Sequence, residues 1–220
     1  MLTVFKKHHS TETLAKAVVV LALCYFLLSI CSNALILTDG MYADYYQDQV
    51  DSERMSEIIS KTRSFNTLKA IWEPISHLLN VIGTAFCLYL ACHYKEEKIE
   101  FKSLFGLSLT CYYIFLIPAL AKFFYFSVYT ELSIPDYNSF SFGSLSFLTS
   151  SADPYWLKSL LETFTLFELL YWILLAYGLT KAFEFNFDDA LKIVLGSYVV
   201  ALTAWILVRI YVQMIVFNLS

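Results

Sequence analysis

The stretch AKAVVVLALCYFLLSICSNALIL, residues 15–37, decides the fold class of this 220-residue chain. Apart from Lys16 it carries no charged side chain. A helix needs about 20 such residues to cross the hydrocarbon core of a bilayer, and it satisfies its own backbone hydrogen bonds there. The apolar region of a signal peptide has only about 7–15 residues. The stretch therefore predicts an uncleaved transmembrane helix.

Four further apolar stretches of similar length follow, at about residues 70–93, 103–127, 156–179 and 192–217. In the whole chain 58% of the residues are hydrophobic and 15% are charged, whereas soluble domains carry about 25% charged residues. Segments of about ten residues with alternating polarity, which are typical of membrane barrels, are absent from the sequence. We predict an all-α integral membrane bundle of five transmembrane helices. It forms a single domain over residues 1–220, with outer loops at 38–69 and 128–155.

The orientation follows from basic residues, which favour the cytoplasmic ends of transmembrane helices. An N-terminus inside the cell places these lysines on the cytoplasmic side: Lys6, Lys7, Lys16, Lys95, Lys98, Lys102, Lys181 and Lys192. The loop at 38–69 is instead rich in acidic residues. We therefore predict an N-in/C-out, multi-pass protein, in the cytoplasmic (inner) membrane if the chain is bacterial.

One segment of the first outer loop, residues 51–63, shows helical periodicity. Asp51 and Ser52 are cap candidates, and Met55, Ile58 and Ile59 recur at helical spacing. We predict a short amphipathic helix that lies on the outer surface, with these three side chains the least exposed of the segment.

Polar side chains within the predicted spans are the candidate functional residues, because an ionisable group at the centre of a bilayer costs at least about 2.5 kcal/mol on insertion scales. We call these residues the polar set: Glu73, His77, Asn80, Lys122, Glu162, Glu168 and Arg209. The first three are spaced i, i+4, i+7 and share one helix face. Pro74 lies near the predicted start of that helix, where proline is tolerated.

The depth of the polar set was estimated from a rise of about 1.5 Å per residue. Most of its members fall in the outer half of the bilayer, and Glu168 lies near the middle, level with Asn80. We predict that Glu162 pairs with Arg209, since consecutive helices joined by a short turn pack antiparallel. Two interpretations stay open: a polar cavity that binds an ion, a proton or a head group, or structural contacts that fix helix order.

Catalytic and cofactor motifs are absent from the sequence, which contains no HExxH helix, nucleophile elbow, phosphate loop or dinucleotide fingerprint. We therefore expect no catalytic residues, no cofactor and no metal. The formal net charge is −4 and the sequence has no basic patch, so a nucleic-acid partner is not expected. The expected partners are the lipid bilayer and other membrane proteins.

The fourth and fifth spans resemble the Yip1 family. The segment LFELLYWILLAYGL (166–179) is followed by FEFNFDDA (183–190) and an apolar helix. This is similar to bacterial members, in which an aromatic-rich helix ends in Gly-Leu and leads through a short turn into the last helix. The resemblance implies a five-span membrane protein with a cytosolic N-terminus, and a scaffold rather than an enzyme.

The sequence thus favours a non-enzymatic, Yip1-like membrane organiser or subunit of a membrane complex that acts through protein or lipid contacts. A transporter of small solutes or ions is the alternative, with Glu73, His77, Glu162 and Arg209 lining an outer-half cavity. A lipid-acting membrane enzyme, using Glu73 and His77, is the third hypothesis.

Overall fold

The structure is a computed structural model that describes residues 11–47, 50–95, 97, 99–129, 133–149 and 154–218. Five helical stretches within these ranges are long and apolar enough to cross a membrane: Thr11–Leu35, Arg54–Tyr94, Phe101–Val128, Leu166–Phe183 and Phe187–Val212. The predicted all-α membrane architecture with five spans is confirmed. The N-in/C-out orientation stays a prediction, and three of its lysines (Lys6, Lys7 and Lys98) lie outside the described residues.

The α-helices, in chain order, have these bounds: α1 Thr11–Leu35, α2 Asp39–Tyr46, α3 Ser52–Tyr94, α4 Phe101–Tyr112, α5 Leu116–Val128, α6 Ile134–Ser139, α7 Tyr155–Thr163, α8 Leu166–Phe183, α9 Phe187–Val194 and α10 Val200–Asn218. Short 3₁₀ turns occupy Tyr113–Phe115 and Leu145–Leu148, and a π-helical turn occupies Leu195–Val199.

The chain divides into two compact units. Unit 1 comprises Met1–Ala15, Asn80–Ile114 and Gly143–Ser220, and unit 2 comprises Lys16–Leu79 and Phe115–Phe142. In unit 1, α8 packs against α4 and α9, and α7 packs against α10. In unit 2, α2 contacts α6. The prediction of a single domain is not tested by this division and stays a prediction.

Helix α3 is longer than the predicted second span, because it begins at Ser52 and continues for 43 residues. Its length is about 65 Å, roughly twice the thickness of a hydrocarbon core. Met55, Ile58 and Ile59 are half-buried, while the charged residues described around them are exposed. The predicted helix and its less exposed side chains are confirmed. The prediction of a separate surface helix is wrong, because these residues form the first turns of α3.

Pro74 also differs from the prediction, since it lies inside α3 rather than near its start. Proline has no N–H to donate, so the carbonyl of Ala70 loses its partner within the helix. Pro74 is buried, as is Ala70. The missing backbone hydrogen bond of α3 therefore lies in a buried part of the helix.

The third span is interrupted by the 3₁₀ turn Tyr113–Phe115, between α4 and α5. Pro118 explains the interruption, because it cannot donate a hydrogen bond to the carbonyl of Ile114, four residues earlier. The helix accordingly tightens before the proline and resumes at Leu116.

The predicted fourth span, 156–179, contains two helices, α7 and α8, separated by Phe164 and Thr165. Thr165 is extended and its hydroxyl accepts a hydrogen bond from the N–H of Glu168 at 3.0 Å, so it caps α8. The segment from Gly143 supplies backbone partners at the break: the Leu166 N–H donates to the Gly143 carbonyl at 2.8 Å. Non-helical backbone inside a membrane requires such protein partners.

Gly143 is required at this contact by its conformation and by space. Its φ is 75°, in the left-handed region, and a Cβ atom there would lie 3.1 Å from the Phe167 ring. A side chain at residue 143 would therefore strain the backbone and press on the first turn of α8.

Candidate functional site

The two units divide the polar set between them. Unit 2 contains Glu73, His77 and Lys122, and unit 1 contains Asn80, Glu162, Glu168 and Arg209. Each group is described below within its own unit.

Glu168 is the centre of the contacts in unit 1. Its side chain is 8% exposed, and its Oε1 atom accepts two hydrogen bonds. One comes from the Trp172 indole Nε1–H at 2.9 Å, one turn further along α8. The other comes from the Tyr198 hydroxyl at 2.8 Å, in the π-helical turn. The carboxyl group thus joins α8 to the fifth span.

Aromatic rings extend this contact across the unit. Tyr171 is fully buried and packs edge-to-face against Tyr198, with ring centroids 5.5 Å apart. On its other side it packs edge-to-face against Tyr112 of α4 at 5.8 Å. The Asn80 side-chain amide of α3 donates to the Tyr112 hydroxyl at 3.4 Å. Asn80 and Glu168 are therefore the ends of one chain of contacts through four helical stretches. We call this chain the tyrosine row.

The local backbone explains why these side chains meet. The Thr165 cap places Glu168 in the first turn of α8, where a negative charge is favoured by the helix dipole. Tyr198 lies in a π-helical turn, a feature that adds a residue to the helix and changes the direction of the side chains after it. The Ser197 hydroxyl donates to the carbonyl of Ile193 at 2.6 Å, which adds a partner within this irregular turn.

The arrangement around Glu168 can act as a structural contact between helices. Both donors to Glu168 belong to the same chain, and the carboxyl oxygen that they contact is saturated by them. A typical hydrogen bond contributes about 0.5–1.5 kcal/mol in soluble proteins, and hydrogen bonds between membrane helices average about 0.6 kcal/mol. The tyrosine row can therefore hold four helical stretches in register.

Unit 2 has its own contacts around His77 and Lys122. The His77 ring stacks on Tyr25 of α1 with centroids 3.6 Å apart. The Lys122 ammonium lies 4.2 Å from the centroid of the Tyr137 ring, in cation–π geometry. Burial raises the pKa of Tyr137 above its ordinary value. A hydrogen bond with Ser32 partly offsets this rise, and the charge of Glu73 adds to it.

The predicted pair between Glu162 and Arg209 is not formed. Helices α7 and α10 are in contact, but the ion pairs among the described residues join Lys61 to Glu57, Arg63 to Asp39 and Lys192 to Asp189. Glu162 lies in α7, before the break at Thr165, so it is not part of the spanning helix α8. Arg209 is exposed on α10.

Several residues of the site are absent from the polar set, which contains only Asn80 and side chains of Glu, His, Lys and Arg. These residues are aromatic: Tyr25, Tyr112, Tyr137, Tyr171, Trp172 and Tyr198. One signal was available, because Trp172 follows Glu168 at i+4, where side chains meet on a helix. The partners from other helices give no comparable sequence signal.

Against protein-family models, curated proteins and solved structures, the chain gives no match.

Proposed function

We propose that this multi-pass membrane protein is a non-enzymatic membrane organiser, or a subunit of a membrane complex, that acts through protein or lipid contacts. The single observation that carries the proposal is the exposed face of α10 around Arg209. The similarity to the Yip1 family and a location in the inner membrane of a bacterium belong to the same proposal.

The face consists of Trp205, Val208, Arg209 and Val212, which are spaced i, i+3, i+4 and i+7 and share one side of α10. All four are exposed, Trp205 to 65%. We call it the Arg209 face. An apolar helix surface with one charged group inside it is unusual in lipid, where a charge requires a partner.

Within the described part of the chain, no side chain forms an ion pair or hydrogen bond with Arg209. The other cation of the polar set, Lys122, is covered by the Tyr137 ring, and the Glu168 carboxyl group has two donors of its own chain. Arg209 lies close to the end of the candidate span at Val212. A guanidinium at this position suits an acidic side chain of another membrane protein or a lipid phosphate.

Site-specific photocrosslinking tests the proposal. A benzophenone amino acid is placed at Val208, on the Arg209 face, or at Leu207, which is equally apolar and exposed but points about 100° away. The Val208 probe should give a discrete adduct with a protein or a lipid. Arg209→Leu should reduce that adduct at least about fivefold, which corresponds to about 1 kcal/mol, and Arg209→Lys should retain most of it.

Three results would contradict the proposal. Equal adducts from Leu207 and Val208 would show that the face has no selectivity. If Arg209→Leu left the adduct unchanged, the charge of Arg209 would not be needed for the contact. Uptake of a solute or ion by the reconstituted chain, at a rate that depends on the polar set, would favour the transporter.

A further inference from the structure

A cavity of about 680 Å³ lies within unit 2, between the end of α1, helix α2 and the end of α5. Sites for small molecules typically occupy about 300–1,000 Å³. Leu35 and Ser127, which line the cavity, stand at or beside the last residues of two candidate spans. The cavity therefore lies at the border of the membrane, where the head groups of lipids are found.

Part of the cavity lining is apolar. Leu35, Ile36 and Phe126 contribute its surface, and Leu35 is 67% exposed. A large, exposed aliphatic side chain in a cavity lining, at the end of a spanning helix, offers a contact surface for an alkyl chain. A small, fully hydrated ligand would leave this apolar surface unused.

Another part of the lining is polar and carries negative charge. Asp44 of α2 contributes to it, together with Tyr45 and Tyr129. The neighbouring acid Asp39 is paired with Arg63 at 2.7 Å, whereas Asp44 forms no ion pair within the described ranges. Lys, Arg and His are absent from the described lining. Such a lining favours a positively charged group.

A carboxylate and aromatic rings in the same lining can together recognise an ammonium group, because ring faces and a carboxylate both attract positive charge. We propose that the cavity binds a membrane lipid with an amine head group, such as an ethanolamine or choline phospholipid. The ammonium lies beside Asp44 and the tyrosine rings, and the first part of an acyl chain lies along Leu35, Ile36 and Phe126. This site is separate from the Arg209 face.

Photoactivatable lipids test the assignment with the full chain in nanodiscs. The probes are phosphatidylethanolamine and phosphatidylglycerol, each with a diazirine near the head-group end of one acyl chain, and peptide mass spectrometry locates the adducts. The ethanolamine probe should label the segments around Leu35 and Phe126 at least about fivefold more than the glycerol probe. Asp44→Asn should reduce this labelling to the level of the glycerol probe.

Asp51→Asn is the matched control, because Asp51 is an exposed acid of the same loop outside the cavity lining, and it should leave the labelling unchanged. Asp44→Glu keeps the charge and should keep most of the labelling, which separates loss of binding from loss of folding. Soluble choline at millimolar concentration distinguishes a free amine from a lipid, and it should not compete.

Equal labelling by the two lipids, no effect of Asp44→Asn, or complete competition by choline would each overturn the assignment. These results leave crosslinking at Val208 unaffected, so the failure of this inference is distinguishable from the failure of the proposed function.

Discussion

Replacing Tyr198 by phenylalanine removes one hydroxyl and keeps the ring, so it isolates the hydrogen bond to Glu168 from the packing against Tyr171. The bond is 2.8 Å long and reaches a carboxyl group that is 8% exposed. Contacts between membrane helices contribute about 0.6 kcal/mol on average and about 1.7 kcal/mol at most. We expect Tyr198→Phe to lower the free energy of unfolding by an amount in this range.

For a chain of this length, 1 kcal/mol corresponds to a change in melting temperature of about 2–4 °C. The expected decrease is therefore about 1–7 °C, measured by intrinsic fluorescence during heating of the protein in a mild detergent. Tyr211→Phe is the matched control, because Tyr211 lies in the same span and is 66% exposed, and the melting temperature of this variant should stay unchanged.

A double-mutant cycle with Glu168→Leu identifies the partner. If the hydroxyl acts through Glu168, the two substitutions together should destabilise less than the sum of the single effects. A coupling energy below about 0.3–0.5 kcal/mol, the usual error of additivity, would refute the reasoning. So would an equal loss of stability in Tyr211→Phe.

Three further predictions concern other parts of the chain. Gly143→Ala should lower the melting temperature by about 2–8 °C, for a strain of about 1–2 kcal/mol. Gly83→Ala is the control: a Cβ atom there has open space in α3, so the melting temperature should stay unchanged or rise. Equal effects of the two substitutions would contradict the strain at Gly143. Hydrogen bonds with Ser133 hold the pKa of Asp136 below its ordinary value. The capping box of α6 should therefore stabilise the protein at a pH above the ordinary pKa of an aspartate. This stabilisation should be lost as the pH falls through the lowered pKa. Ser133→Ala should raise the pKa of Asp136 in an NMR titration, and no change would contradict the capping role. A reporter fused after Ser220, outside the described residues, should read extracytoplasmic, and a cytosolic signal would overturn the N-in/C-out orientation.

The sequence predicts the class of this fold well because transmembrane segments depend on composition and length, which are local properties. The ends of the helices are less predictable. The first turns of α3 are polar enough to look like a loop, yet they belong to a helix of 43 residues. The break in the fourth span falls inside an apolar stretch, and its signal is the pattern Thr165-x-x-Glu168, which is typical of a helix start.

The candidate site was only partly predictable. The level shared by Asn80 and Glu168 follows from counting residues along helices, and the tyrosine row connects the two. The Glu162–Arg209 pair failed because the count assumed one continuous helix through residue 164. The identity of Tyr198 as a partner of Glu168 depends on the π-helical turn, which no hydrophobic pattern reveals.

That π-helical turn also changes how the last span is to be compared with an ideal helix. One additional residue in the turn advances the following part by about 100°, so side chains beyond Val199 face a different direction from the one that uninterrupted periodicity assigns. Deleting a single residue within 195–199 would restore ordinary periodicity. It would also either withdraw the Tyr198 hydroxyl from Glu168 or rotate Trp205 and Arg209 to a new side of the bundle. A one-residue deletion here would thus rotate the exposed side chains of α10 about the helix axis, an effect that no point substitution can reproduce.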